Sequence, residues 1–529
     1  MAEGPKPSLE LFRAVSGAQS ARLRYRNGKT FLLHSAVAPE QEADDLPVPE
    51  LWGDVLICLG TGLGYHLEAL RQVERPLQIV LCEVWPELLE AARTRLQNSV
   101  HQVIPTLLQP VSLPANAKIQ IWRHPASYRA SSPLLDEWAD RIFLEHLPAA
   151  EKIGARSSAR SVALLFGQHF LQEELRHALQ ERQIPVHLLE YGAETVSPDW
   201  DARSLRFLQE HRPDLILSVN MKGLDSEGIL LGHARRLGIP VNVWFVDDPR
   251  PIALAQPDWV FPWIRAWCWE RAYLPWLVAR GFDDPRWLPL AGDPLIFQSE
   301  TSPKEIYPLV FTGSSMGEDF LRQIRNHFLW EPCLAPMVDL RSEDLLEGRR
   351  SSSNLLEGWP LPFQDERNKA WLSALIQHTA SHKKRVRHLR PLMSEGLLCA
   401  GDPQGWRACL GGQVHTVPDI NYRHGLAEHY RHCSIQINVT SCQMPTAVNQ
   451  RVFDVPLCGG FLLTDSQSDV HDLFAADELA LFSSPLELEE RIAWFQSHPG
   501  ERKRIAENAR LRILREHTYA HRLRDLMAR

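Results

Sequence analysis

The sequence lacks any apolar run near the roughly 18–20 residues that cross a bilayer, so no membrane span is expected. Its start, MAEGPKPSLELF, has no basic stretch leading into an apolar one, so no secretory leader is expected either. Cysteine is sparse and unpatterned: nine residues, an odd number, with no CxxC pair and no ligand-like cluster. That pattern suits a reducing, cytoplasmic setting better than a disulfide framework or a zinc site. Positive charge is in deficit, with 57 Lys and Arg against 65 Asp and Glu and a net charge of -8. Such a balance argues against a general nucleic-acid binder. Internal repeats and low-complexity tracts are also missing.

What is present is a globular composition, 44% hydrophobic and 23% charged, over 529 residues. A chain of this length exceeds one ordinary core, and about two to four domains are expected. Three series of alternating elements can be read. In the first, residues 19–35 suggest a β-hairpin around Arg26-Asn27-Gly28, a tight-turn signal. DVLICLGTGLGYHLEAL then reads as strand, glycine loop and helix, LQIVLCEV as a strand, PELLEAARTRLQ as a helix, and AKIQIWRH as a further strand. A linker is expected at 151–161, which bounds a first domain at residues 1–150. The second series, 160–300, opens on VALLFG and includes the strands PVHLLEY, LILSVN and VNVWFV. The third, 305–529, opens on YPLVFTGSS. An irregular segment (341–363) and a basic helix (365–390) interrupt it, and long helical patterns close it. Strands alternating with helices predict doubly wound parallel sheets.

The most informative stretch is 434–474. The apolar run Ile435 to Val439 is followed by a segment with Arg451 and Asp454, the pair Gly459-Gly460, and a second apolar run from Phe461 to Leu463. Read as strand, loop, helix, glycine turn and strand, it puts an arginine, a carboxylate and a helix start at the carboxyl edge of a parallel sheet, where such sheets bind ligands. Arginine and helix-terminal N–H groups suit a diphosphate. A carboxylate suits ribose hydroxyls. Gly313 and Ser314, after the first strand of the same series, allow backbone to approach the diphosphate. Asn449, Gln450 and Gly460 flank the helix, with a helix-capping role for the two amides equally open. Tyr422 and His424 lie in the loop after the strand ending near Ile420, where an aromatic ring can stack on a base.

Further candidates end strands of the second series. Asp247 and Asp248 follow VNVWFV and can accept a proton or cap a turn before Pro249. His169 follows VALLFG. Asn220 and Lys222 end LILSVN and can line an acceptor groove. In the first series Gly60, Gly62 and Gly64, with Glu83 about 20 residues on, form a weak dinucleotide-type or methyltransferase-type fingerprint. Asp199 and Asp201 form a D-x-D pattern far from the other candidates, and no metal site is expected there. The basic run 382–390 reads as a solvated helix face or as a means of concentrating an anionic ligand.

Residues from about 160 to 529 resemble the CgeB-like glycosyltransferases, on VFTGS (310–314), LLCAGD (397–402), INVT (437–440), NQRVFDVPLCGGFLLTD (449–465), DLFAADELALF (472–482) and EHTYAHRLRDLM (516–527). Residues 20–50 are similar to the N-terminal region of Maf-type flagellin-modifying proteins. The resemblance implies a GT-B architecture, two Rossmann-like lobes behind an N-terminal Rossmann-like domain. It implies transfer of a sugar, with retention, from a nucleotide diphosphate donor (UDP-linked) to a protein hydroxyl, with flagellin Ser/Thr leading. It assigns Arg451 to the diphosphate, Asp454 to the ribose, and acceptor chemistry to Asp248, Asp247 and His169. No cofactor is required, the nucleotide sugar being substrate, and self-association is left open. Where the better-known retaining enzymes carry a first glutamate, this chain has Thr446. Two other readings stay open: an added S-adenosylmethionine-dependent methyltransferase in the N-terminal domain, and a non-catalytic escort of flagellin.

Overall fold

The computed structural model describes residues 7–25, 28–49, 51–114, 117, 119–146, 161–167, 171–192, 198–256, 258–300 and 305–527. Arg26, Asn27 and His169, most of the expected linker, and the side chain of Asp199 lie outside them. The chain divides into two compact units. One holds residues 1–167, 187–216 and 223–241; the other holds 168–186, 217–222 and 242–529.

The first unit begins with an antiparallel sheet of β1 (Ser8–Arg13), β2 (Gln19–Arg24) and β3 (Thr30–Leu32), the last two forming the expected hairpin. Then come β4 (Val55–Leu59), β5 (Gln78–Cys82), β6 (Gln102–Thr106) and β7 (Ile119–Arg123), all parallel and ordered β6-β5-β4-β7. β4 is buried along its whole length, as a strand covered on both faces must be. β1, β6 and the helix Pro125–His146 were not among the elements expected from the sequence. The segment after the glycine loop, expected to be a helix, is a 3₁₀ helix, Tyr65–Gln72. Its buried Leu67 and Leu70 stand three apart and share a face at three residues per turn.

A six-stranded sheet follows, made of β8 (Val162–Phe166), β9 (Val186–Glu190), β10 (Leu215–Val219), β11 (Val241–Phe245), β12 (Ile264–Cys268) and β13 (Asp283–Trp287). Its order is β13-β12-β11-β10-β8-β9, and the division between the units falls within it. The second unit holds another six-stranded sheet, of β14 (Tyr307–Thr312), β15 (Leu398–Ala400), β16 (His415–Val417), β17 (Cys433–Asn438), β18 (Leu462–Asp465) and β19 (Ala480–Phe482). All its pairs are parallel, in the order β16-β15-β14-β17-β18-β19. Leu309, Phe311, Ile435, Ile437 and Leu463 fill its core with Trp406. The α/β class with two successive Rossmann-like sheets, expected from the sequence, is the fold observed.

Two local readings change. Residues expected to be irregular from 341 begin inside the helix Ala335–Leu346, which Pro336 starts in its first turn. The long closing helix is broken into Pro499–Glu516 and Tyr519–Met527. The break is where backbone pairs instead with Gly292, whose N–H donates to His517 O at 2.9 Å. The last helix returns to the preceding sheet: the Arg522 guanidinium donates to Pro289 O at 2.9 Å and Asn242 donates to Leu526 O.

Candidate active site

In chain order the β14–β19 sheet reads 3-2-1-4-5-6, so the strand order reverses between β14 and β17. That is the point at which open parallel sheets form a crevice at their carboxyl ends. The loops after β14 and β17 meet there. Gly313, with φ of +146°, follows β14, and its Cα faces the Arg451 guanidinium: a Cβ there would lie 3.4 Å from Nη1. Ser315 is tied down by its N–H and hydroxyl, which both donate to Asp402. Trp406 Nε1 donates to Gly313 O at 2.9 Å. The loop is thus held from the β15 side, with Ser314 at its tip.

Two guanidiniums converge on this loop. Arg451 begins the helix Arg451–Leu457, and its Nε donates to Asn438 Oδ1 at 2.9 Å. Asn449 Nδ2 donates to the same oxygen at 2.7 Å, so the β17 end fixes both. Arg385, on the helix Glu366–Leu389, is 4% exposed and donates to Ser314 O at 2.6 Å. The two stand over the Phe311 ring at 5.6 and 5.5 Å. Among the described residues neither has a carboxylate within ion-pair distance, and Arg385 Nε is buried without a partner. Burial, and then the like charge of Arg451, push Arg385 down to about 9; burial lowers Arg451 too. Two poorly solvated cations without an ion-paired carboxylate at a switch point are suited to hold an anion. Arg385 was hidden in the basic run 382–390. Its neighbours Lys383 and Lys384 are ion-paired with Asp339 and Asp465, and only the fold tells them apart.

Asp454, one helical turn after Arg451, is 1% exposed. Its Oδ1 accepts from Gln450 Nε2 at 2.8 Å. Burial raises its carboxyl well above the usual range, and the charges of Glu174 and Asp293 add to this, while hydrogen bonds from Gln450 and Tyr422 oppose it. Gln450 also donates to Ala291 O and accepts from the Tyr519 hydroxyl. Neither Asn449 nor Gln450 caps the helix with its side chain. The Tyr422 ring lies edge-on to Phe297, with centroids 5.2 Å apart. Tyr422 is half-buried, and its hydroxyl acts to lower the Asp454 and Glu174 carboxyls. His424 is exposed and its N–H donates to Asn421 Oδ1. Gly460 is a packing position: a Cβ would lie 3.0 Å from Val455 Cγ1.

At the carboxyl ends of β10–β12 the candidate acids separate. Asp248 caps the helix Pro249–Ala253 and holds the Arg250 guanidinium through both oxygens, at 2.9 and 2.6 Å. Asp247 reaches solvent, and among the described residues only its Oδ2 is engaged, by Asn220 Nδ2 at 2.8 Å. Crowding by the surrounding chain, and then the charge of Asp248, raise its carboxyl to about 6; the Asn220 hydrogen bond and Lys222 act the other way. Asn220 and Met221 both have positive φ, of 51° and 56°, a strained turn that aims the amide at Asp247. Lys222 is exposed. Thr446, where the resemblance expects a glutamate, is met by the carboxylate of Glu270 from the turn after β12.

In the first unit the glycine loop is occupied by the chain itself. Glu83, 0% exposed, accepts from Thr61 N at 2.7 Å and Gly62 N at 3.1 Å. Leu63 N donates to His34 Nε2 at 2.7 Å, and a Cβ on Gly62 would collide with that ring. A cofactor at Gly60, Gly62 and Gly64 would have to displace these groups, and Glu83 points into the loop, away from any ribose. His34, Glu42 and His124 form a group whose ligand atoms lie within 4.8 Å of one another. Their hydrogen bonds set them as donors instead. His34 Nε2 and His124 Nδ1 accept backbone N–H groups, so the nitrogens that face Glu42 carry the protons. Metal-ligating histidines show the opposite polarity. Asp201 of the D-x-D pattern is spent on Arg123 and on His233, at 2.7 Å from the latter.

Fold and site together define a class: a doubly wound sheet with an anion site at its switch point. Residues 378–528 match the model of a family described as glycosyl transferase-like, a span that carries Arg385, Arg451 and Asp454. No curated protein matches the chain by sequence. Among solved structures, the chain is similar to sucrose-phosphate synthase from Thermosynechococcus elongatus, at 12% identity and a TM-score of 0.42 over 69% of this chain and 98% of that one. It is similar to Anabaena HepE in complex with UDP-glucose, at 10% identity and a TM-score of 0.40 over 70% and 98%. A third is the T4 phage BGT in complex with UDP-glucose, at 9% identity and a TM-score of 0.39 over 69% and 99%. These likenesses are too distant to argue a shared activity.

Proposed function

We propose that the protein is a glycosyltransferase that moves a sugar from a nucleoside diphosphate donor, UDP-linked, to a hydroxyl of a protein, with Ser/Thr of flagellin the leading acceptor. The observation that carries the reading is the pair Arg385, buried, and Arg451, half-buried, both near the Phe311 ring and without an ion-paired carboxylate among the described residues, at the strand-order reversal. A diphosphate supplies the negative charge both lack. As the bond to the sugar breaks, charge grows on the departing diphosphate, and guanidiniums already in place stabilise it with little reorganisation. The glycosyl transferase-like match over 378–528 supports the same reading. Asp247, with one oxygen free, is the candidate to accept the acceptor hydroxyl's proton; Asp248 holds Arg250 in this reading. Asp454 serves the ribose by exchanging the Tyr422 hydroxyl for a sugar hydroxyl. The flagellin acceptor, retention of configuration and cytoplasmic location rest on the resemblance of residues 20–50 and 160–529.

The test is a panel of nucleotide sugars scored for diphosphate nucleotide release, followed by addition of candidate flagellins and intact-mass analysis. Release with at least one donor and a mass gain equal to one sugar are expected. Arg385→Ala and Arg451→Ala should each weaken UDP by about 10–100-fold, the loss of a charged hydrogen bond or two. No release from any donor, with flagellin still bound, would transfer the reading to a non-catalytic escort.

A further inference from the structure

The turn after β12 reaches the loop between β17 and Arg451 through Glu270 and Tyr273. Glu270, 0% exposed, accepts four hydrogen bonds. Ala272 N and Thr446 Oγ1 donate to Oε1 at 2.8 and 2.6 Å, and Thr446 N and Ala447 N each donate to Oε2 at 2.9 Å. Arg271 pairs with Asp472 at 2.7 Å and with Asp469 at 3.6 Å. The Tyr273 hydroxyl donates to Gln443 O at 2.9 Å. Thr446 is braced once more from its own side: Asp469 N donates to Thr446 O, and Thr446 Oγ1 lies 3.3 Å from Asp469 Oδ2. Every acceptor position of Glu270 is thereby used, so it acts by holding the loop and not by touching a ligand.

Resting on the glycosyltransferase reading, we propose that Glu270 is a positioning residue that shapes the sugar end of the donor site through Thr446 and Ala447. Two points separate this end from the diphosphate end. Arg451 and Asn449 have an anchor of their own, Asn438 at the end of β17. The Thr446-Ala447 amides are instead held from β12, a strand of the sheet that carries Asp247. For transfer to occur, the sugar must lie between the diphosphate and the acceptor. The loop runs from its tie to the acceptor-side sheet at Thr446 to the guanidinium of Arg451, and so borders that interval. Loss of the tie is therefore expected to affect recognition of the sugar more than recognition of the nucleotide.

The experiment titrates UDP, UDP-glucose and UDP-N-acetylglucosamine into the full chain as wild type, Thr446→Val, Thr446→Ser and Glu270→Gln, with melting curves for each. In Glu270→Gln the amide N–H groups would face backbone N–H groups and break the clamp. UDP affinity should stay within about twofold in every variant. The better-bound nucleotide sugar should lose about 10-fold or more in Glu270→Gln and several-fold in Thr446→Val, and Thr446→Ser should recover most of the latter loss. A parallel loss of UDP and nucleotide sugar would mark the clamp as merely structural and overturn the proposal, as would unchanged nucleotide-sugar affinity or sugars that add nothing to UDP in the wild type. If Glu270→Gln does not fold, the Val and Ser pair at Thr446 decides. Failure of wild type to bind UDP at all sinks the glycosyltransferase reading itself, a result distinct from failure of the clamp.

Discussion

Asp247 and Asp248 are adjacent acids with different fates, and the difference is geometric. Asp248 sits one residue before Pro249 and turns back to cap the short helix and grip Arg250. Asp247 points the other way, towards Asn220 and Lys222, in surroundings that raise it to about 6. A raised carboxyl is protonated below that value, and a protonated carboxyl cannot accept a proton. If Asp247 is the base, kcat/KM should fall about tenfold per pH unit as pH drops below about 6. Asp247→Asn should abolish that acidic limb and lower kcat by about 10²–10⁴-fold; a limb that survives the substitution would assign the base elsewhere. Arg451, Asp454, Gln450 and Asp247 could be picked out as candidates from the sequence because each follows a recognisable strand. Arg385 and Glu270 could not, because their meaning lies in what is absent around one and what surrounds the other. Neither a buried guanidinium without an ion-paired carboxylate nor four converging donors leaves a mark in the local sequence.

Among the elements, the glycine loop of the first unit is the clearest case of a motif whose chemistry has been redirected. Strand, glycine loop and acidic residue all stand where the fingerprint expects them, yet Glu83 and His34 take the loop's amides. Gly62 is needed both for its φ of +52° and for the room His34 occupies. Gly62→Ala should therefore destabilise the protein by about 2–4 kcal/mol, the sum of a left-handed strain and an overpacking cost, read as a lower melting temperature. S-adenosylmethionine should leave the melting temperature of the wild type unchanged; a clear rise would restore the methyltransferase reading. The helix Arg451–Leu457 behaves differently. It is only seven residues long, and its position depends on Asn438 and Ala291 more than on any cap of its own.

For the molecule as a whole, a ligand that binds only the folded state stabilises it by mass action. UDP at 100 times its Kd should add about 2.7 kcal/mol, a rise of several degrees in the melting temperature of the unit that holds β14–β19. Arg451→Ala should lose about half or more of that rise at the same UDP concentration, because tenfold or weaker binding cuts the stabilisation in that proportion. A shift of equal size in the variant would place the nucleotide away from Arg451.

The α/β class, the successive sheets, the stretch around Arg451 and Asp454 at a sheet edge, and the absence of an apolar run long enough for a membrane helix can all be read from the chain before it folds. Those properties follow from periodicity, run length and turn residues, which are local. It took the folded chain to bring Arg385 beside Arg451, Glu270 onto Thr446, and Glu83 and His34 into the glycine loop. Each of these joins residues tens to more than a hundred positions apart. Their energies depend on burial and on the direction of each hydrogen bond, and both come into being only when the chain has folded.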